Sequence, residues 1–522
     1  MKILKRLNLK KFFLIATTFF SLLLILYIYE RFIFSFNFTD EGDNISIGKF
    51  LLQGKKLYKD VFSQHQPLTY YFSSLVQKIA NPQNILMVIK RHREVVIAFS
   101  FCWIILLVWR FGFLFILPSL IFELIKYYFL GHLFLAESFV GYPLVFLFFL
   151  AWELLSGKKI SLFDNFIASL SIFWISFNLL PTAPLAIFFY LFFIWKQRKE
   201  LKKNIFLTIP FLISILTLVL IIPIYYYYEG SILGNLVYYI PESNKIAFKV
   251  DEPLWWQLFK IPFYPLLAFN NLNNSFFRIL GLLFIIFVFG LFVYFKKSKK
   301  DRNKIIFLLF VLFVANLRSP VGSGVFYHAF HSLPYLCLFV FSTFLVVKTV
   351  FFELKLVAKI KNWFYLLIVL IFALLVFDKQ LFFWLKFSKE NMQYVQFSRL
   401  FDSSTAIRIM GDPDDTLAVM PYEELIYWLP DVQPATRFLF YHSWVYDVPK
   451  FKSEIDTSFK NNPPTFVFWE NTCLAPYLET TDYINLPRDS TVSGVFIHKT
   501  KLPKITEKEW QELEYYRYNR IK

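Results

Sequence analysis

The sequence predicts an α-helical polytopic membrane protein of about eleven spans that carries a small extracytoplasmic α/β domain at its carboxy-terminal end. Three observations lead there. Of 522 residues, 57% are hydrophobic and 69 are phenylalanine, which exceeds the apolar share of soluble globular chains. Apolar runs near the length of a bilayer crossing recur along the chain, separated by charged loops. Between Phe377 and Lys389 this pattern gives way to charged residues, prolines and short alternating segments, as at a domain boundary. The expected division is therefore a membrane domain over 1–379, with a first exported loop at 37–93, and a soluble domain over 380–522.

The expected spans have their cores at Phe12 to Phe34, Val95 to Trp109, Phe113 to Leu130, Ser138 to Leu155, Phe166 to Leu179 and Ala183 to Trp195. Further cores follow at Ile205 to Tyr227, Phe276 to Phe295, Ile305 to Asn316, Ala329 to Val347 and Trp363 to Phe377. The start, MKILKRLNLKK followed by a long apolar run, resembles a signal peptide. It lacks a small-residue cleavage site before Glu30, and so reads as a retained anchor.

The formal net charge is +18. From Gln380 onward there are 16 basic and 19 acidic residues, so the excess lies wholly in the oily part and marks loops at a membrane face. That distribution argues against a nucleic-acid partner. Cysteine occurs three times, at Cys102, Cys337 and Cys473, with no spacing suited to a zinc site or a disulfide framework.

Short cytoplasmic loops collect Lys and Arg. With the amino terminus inside, the basic clusters at Lys158–Lys159, Lys196 to Lys203, Lys296 to Lys304 and Lys348 to Lys361 all fall inside. The soluble domain then lies outside the cytoplasmic membrane. One segment resists this rule: the first exported loop holds Lys55, Lys56, Lys59, Lys78, Lys90, Arg91 and Arg93. Making Leu68 to Ile89 a span would bury Gln77, Lys78, Asn81, Gln83 and Asn84 in hydrocarbon, which is costly.

Within that loop, Ile47, Phe50 and Leu51 share a helical face and Gly54 suits a stop. Pro67 suits a first helical turn, and Leu68, Tyr71, Phe72, Leu75, Val76 and Ile79 follow as one apolar stripe, a pattern fitted to a membrane surface. In the soluble domain, strands are expected at Leu417 to Met420, Arg437 to Tyr441, Thr465 to Trp469 and Val495 to His498. Helices are expected near Glu423 to Trp428 and Lys450 to Phe459.

Chemistry points to the loop from Thr39 to Tyr71. Asp40 and Glu41 form a carboxylate pair directly after an apolar run, where they must be solvated, paired or used. Acids also commonly open helices. The stretches TDEG (Thr39 to Gly42), GKFLLQGKKLYKD (Gly48 to Asp60) and HQPLTYY (His65 to Tyr71) resemble the GT-C superfamily of integral membrane glycosyltransferases, in the branch of the protein O-mannosyltransferases and the lipid A aminoarabinose transferase.

The resemblance implies an inverting transfer of a monosaccharide from a polyprenyl-phosphate carrier to a hydroxyl of a protein, lipid or glycan acceptor at the outer face. Asp40 matches the family's first-loop acid and is the expected catalytic base. Glu41 is expected to bind substrate beside it, as an orienting neighbour or metal ligand. Glu137 corresponds by position to a second acid in a short exported loop, and also fits a solvated helix-start acid. Lys59, His65, Arg318 and His328 are candidates for binding substrate, the cations facing the departing phosphate. A divalent metal ion, where one is used, would fall to Glu41 and His65. Gln64, His65 and Gln66 stand where the aminoarabinose transferase has a Glu-Lys pair, which leaves metal dependence open. Arg318 also fits an interfacial arginine, and the aromatic runs, Trp255 and Trp256 included, fit an interfacial belt.

Three rival functions remain, one of them a catalytically silent scaffold whose carboxy-terminal domain binds a partner. A transporter or flippase of lipid-linked glycans needs polar groups within its spans. A glycan ligase or polymerase would use a polyprenyl-diphosphate donor instead.

Overall fold

The computed structural model describes residues 9–234, 275–297, 302–317, 331–350, 388–469, 482–489 and 491–521. Helix dominates it. The chain divides into two compact units, each assembled from separated segments. Met1–Ile33, Glu94–Leu216 and Val250–Ser388 form the first, and Phe34–Arg93, Thr217–Lys249 and Lys389–Lys522 the second.

In chain order the helices begin with α1 (Leu9–Phe32), α2 (Thr39–Leu52), α3 (Pro67–Ala80), α4 (Ile85–Phe111) and α5 (Ile116–Tyr127). Next come α6 (Gly141–Leu155), α7 (Leu162–Asn178), α8 (Ala183–Lys196) and α9 (Leu201–Ile221). Beyond them lie helices Ser275–Lys297, Arg302–Ala315 and Leu333–Lys348. These helices underlie ten of the expected span cores; Trp363 to Phe377 lies outside the described residues. Among the described residues, three helical stretches are long and apolar enough to cross a membrane: Ile85–Phe111, Ala136–Leu155 and Leu201–Ile221. The last is apolar all round and leaves Leu212, Leu216 and Leu220 exposed, as a lipid-facing helix would.

One end of the first unit is tied by polar groups. Arg110, at the end of α4, donates from Nε to Asp164 Oδ1 at 2.6 Å and from Nη2 to Glu153 Oε2 at 2.7 Å. Asp164 also closes a capping box with Ser161 at the start of α7, which satisfies orphan amides there. Asn165 and Gln197 exchange hydrogen bonds at 2.9 and 3.1 Å, and Lys304 lies over the Trp152 ring. The ends of α4, α6 and α8 thus meet the starts of α7 and of Arg302–Ala315, all beside basic loops.

A second polar knot lies inside the apolar packing. Glu123 of α5 accepts from Tyr29 at 2.9 Å and from Tyr142 at 2.6 Å. Lys126, one turn on, pairs with the same carboxylate at 2.8 Å and donates to Ser100 at 2.7 Å. Burying a charge without such partners is costly, and here each is answered by the other. Helices α1, α4, α5 and α6 are cross-linked by it.

The second unit carries a five-stranded sheet ordered β2-β1-β3-β5-β4. Its strands are β1 (Thr416–Met420), β2 (Gln433–Pro434), β3 (Phe466–Trp469), β4 (Tyr483–Arg488) and β5 (Thr491–His498). β1 runs parallel to β2 and β3, and β5 antiparallel to β3 and β4. Helices Lys389–Met410, Pro449–Asn461 and Glu507–Tyr515 accompany it. The expected strand Arg437 to Tyr441 is not a strand: only Phe438 bridges, and its partner is Phe62 of the first loop. Arg437 there donates to Glu229 and Glu454, and Tyr441 N donates to the Pro421 carbonyl at 2.8 Å, so this stretch is held by side chains, one bridge and a single further main-chain bond. Glu424–Trp428 is a 3-10 helix.

Candidate carboxylate site

The site grows from the amino end of α2. Small residues let two neighbours approach it. Gly42 lies against Leu425, where an added Cβ would stand 3.1 Å from the Leu425 Cβ, and Ser46, one turn on, donates to the Glu424 carbonyl at 2.7 Å. On another face, Gly48 meets Ser73 and Gln77 of α3, and an added Cβ would stand 2.8 Å from Gln77 Nε2. Lys49 then donates to the carbonyls of Tyr427 and Pro430 at 2.9 and 2.7 Å, satisfying the end of the 3-10 helix. Burial pushes the Lys49 ammonium down to about 8.

The two adjacent acids have different surroundings. Glu41 is 3% exposed and faces Arg93, itself 1% exposed. Arg93 donates from Nε to both Glu41 oxygens at 3.0 and 3.2 Å, and from Nη2 to Oε2 at 2.5 Å. Its Nη1 and Nη2 also donate to the carbonyls of Ser35 and Phe36, each at 2.7 Å. Part of the basic charge that the first loop carries is therefore internal, and Glu41 is the reason for it. Asp40 remains half-exposed in the first turn of α2.

One turn beyond Asp40 stands Asp43, 4% exposed. Its Oδ2 accepts from Tyr70 at 2.8 Å, and its Oδ1 has no hydrogen-bond partner. Tyr70 in turn shares a short hydrogen bond with Ser63. Burial, with the charge of Asp40 adding to it against the Tyr70 hydrogen bond, pushes the Asp43 carboxyl up to about 7. Glu424 is buried too, and burial followed by the charge of Asp43 raises its carboxyl well above the usual range. Beside it, Glu423 has φ 111°, a backbone state that side chains adopt only under constraint, and it accepts from Asn37 Nδ2 at 3.0 Å.

Asp40, Asp43 and Glu424 thus act on one another electrically, two of them buried and poised to hold protons. Like charges so placed cannot all ionise. Asp40 thus stands half-exposed beside two carboxyls that burial shifts upward, and a carboxylate so placed is able to accept a proton from a hydroxyl. Asp43 and Glu424 escape a sequence reading. Asp43 carries a weak signal, three residues after Asp40 and hence on the same helical face; Glu424 carries none.

His65 is half-buried before α3, with Nε2 3.1 Å from Gln64 Nε2. Gln66, its neighbour, is anchored by Tyr227 at 2.9 Å and Ser231 at 2.5 Å. Lys59 is exposed. Glu137 belongs to the first unit, buried in the 3-10 turn Ala136–Phe139. Arg318, His328, Trp255 and Trp256 lie outside the described residues. Among the described residues, no group of three His, Cys, Asp or Glu side chains is placed to hold a metal ion, and the Glu41 oxygens are engaged by Arg93.

No protein-family model, curated protein or solved structure matches the chain.

Proposed function

We propose that the chain is an inverting glycosyltransferase of the GT-C type, moving a monosaccharide from a polyprenyl-phosphate carrier to an acceptor hydroxyl at the outer face of the cytoplasmic membrane. The observation that carries this reading is the unequal pair in the TDEG stretch: Glu41 is engaged by Arg93, whereas Asp40 keeps solvent access beside two protonated-leaning carboxyls.

In the reaction, Asp40 takes the proton of the acceptor hydroxyl as its oxygen attacks the anomeric carbon. The bond from that carbon to the carrier phosphate breaks, and its electron pair leaves with the phosphate. Asp43 and Glu424, when protonated, keep negative charge on Asp40. Lys59, Arg318 and His328 are the cations proposed for the departing phosphate, and Glu137 is the proposed second acid. The eleven-span topology with the amino terminus inside belongs to the same reading, and the basic loops beside the Arg110–Asp164 knot favour it.

The test is genetic and chemical. Mass spectrometry of cell-envelope glycans should show a sugar lost on deleting the gene, restored by the wild-type chain and not by Asp40→Asn at equal membrane abundance. An unchanged glycan profile on deletion would sink the function; full restoration by Asp40→Asn would sink the base.

A further inference from the structure

Tyr422 is 38% exposed, yet its ring is fixed in place. It lies stacked on His442, with 5.3 Å between ring centroids and 26° between planes. His442 rests on Phe440 at 5.5 Å, and Phe440 on Trp444 at 5.8 Å. The backbone draws the two stretches together, since Tyr441 N donates to the Pro421 carbonyl at 2.8 Å. An exposed aromatic ring held in this way loses little freedom when a ligand covers it.

The ring also has a particular neighbourhood. Glu423, the next residue, holds φ 111°, a strained state that clusters at functional sites. Its Oε1 accepts from Asn37 Nδ2 at 3.0 Å, three residues before Asp40, and the charge of Asp40 acts on Glu424. Tyr422 therefore stands beside the carboxylate group at the amino end of α2, where Asn37, Thr39 and Asp40 are half-exposed. All of these residues belong to the second unit.

A pyranose ring suits such a place. The C–H groups of its apolar face carry partial positive charge and match the negative face of an aromatic ring. Its hydroxyls need polar partners at the edge, and Asn37, Thr39 and Asp40 are of that kind. The carboxyls around Asp40 are a poor setting for a phosphate, which favours an uncharged ligand over the carrier-bound donor. We propose that Tyr422 is the stacking platform for a sugar ring of the acceptor, so that the acceptor is a glycan and not a protein or a lipid. This rests on the transfer proposed above and adds the class of its acceptor.

Two probes test it. One is the glycans released from the envelope of a strain lacking the gene, which retain the unfilled acceptor; the other is the lipid extract of the same cells, which holds carrier-linked sugars. Saturation-transfer NMR on the detergent-purified full chain follows sugar protons as each probe is titrated. Tyr422→Ala and the bulkier Tyr422→Ile should raise the glycan midpoint about tenfold, while Tyr422→Trp keeps or lowers it and the lipid midpoint stays unchanged in all three. An unmoved glycan midpoint in Tyr422→Ala and Tyr422→Ile would overturn the proposal, as would glycans that the wild-type chain does not bind. A loss confined to the lipid extract would assign Tyr422 to the donor and overturn the acceptor. If the alanine and isoleucine variants unfold early, Tyr422→Trp decides alone: the emission it adds should change as glycan is titrated, and a constant spectrum would overturn the proposal. Glycan binding lost in the Tyr422 variants, with envelope glycans unchanged on deleting the gene, would overturn the transfer and keep the glycan site. Normal binding in the variants, with a sugar lost on deletion, would overturn the glycan site alone.

Discussion

Arg93 grips Glu41 by both carboxylate oxygens, with neither side chain more than 3% exposed. A pair so desolvated contributes little over an apolar substitute, yet breaking it leaves an uncompensated buried charge. Arg93→Ala should therefore destabilise the chain by about 3–5 kcal/mol. The combined change Arg93→Met with Glu41→Leu should cost less than Arg93→Ala alone. Thermal unfolding of the detergent-purified chain measures both; a near-silent Arg93→Ala would refute the burial on which the division between Asp40 and Glu41 rests.

Asp43 makes stability depend on pH. Its carboxyl is raised from 3.8 to about 7 in the folded chain, so between those values the folded state keeps a proton that the unfolded state has released. Stability is fully present below the lower value, falls as pH rises through the window, and levels off above it. Glu424 shifts in the same direction. Asp43→Asn should flatten part of the fall and leave the remainder to Glu424. Denaturation midpoints taken across the window would contradict this if wild type and variant ran parallel.

Gly48 sits where α2 and α3 close on one another. A methyl there would meet Ser73 and stand 2.8 Å from Gln77 Nε2, so Gly48→Ala should cost about 1–3 kcal/mol by overpacking. Gly54, with φ 87° and open space around it, resists alanine for a different reason, its backbone conformation. Chemical denaturation of the two variants should show Gly48→Ala as a packing defect that Gly48→Ser worsens, whereas at residue 54 alanine and serine should be alike.

Glu123 tests the transporter alternative. Its oxygens are taken by Tyr29, Tyr142 and Lys126, which is the pattern of a helix cross-link. Glu123→Ala should destabilise by about 3–5 kcal/mol by stranding Lys126, and Glu123→Gln with Lys126→Met should recover much of that. Folding yield and thermal unfolding of the purified chain report it. A stable Glu123→Ala chain that loses glycan or proton movement would favour transport.

Several elements were legible because they depend on local chemistry. Pro67 starts α3 and Gly54 follows the end of α2, as their backbone preferences require. The alternating residues of β1, β3 and β5 read correctly for the same reason. β4 and the helix Lys389–Met410 did not, since Pro487 interrupts the first and the second is too polar to show an apolar period. Arg437 to Tyr441 looked like a strand by composition, but its backbone is claimed by the Phe62 bridge. At the candidate site, Asp40 and Glu41 stood out in the sequence, but what distinguishes them did not. Arg93 is 52 residues from Glu41, and Glu424 reaches α2 from still further along the chain; such pairings are made by tertiary structure alone.

Ser46 and the carbonyl it binds are 378 residues apart, which at ordinary synthesis rates separates their emergence by about 20 to 75 s. For that interval the first loop has left the ribosome without the segment that answers Ser46, Lys49 and Gln77. Until then its small residues and buried-to-be acids face solvent, chaperone or lipid. The second unit is thus a late-closing assembly: nascent chains halted before residue 424 would carry a first loop open to protease, and full-length chains would acquire resistance only after the last fifth has emerged.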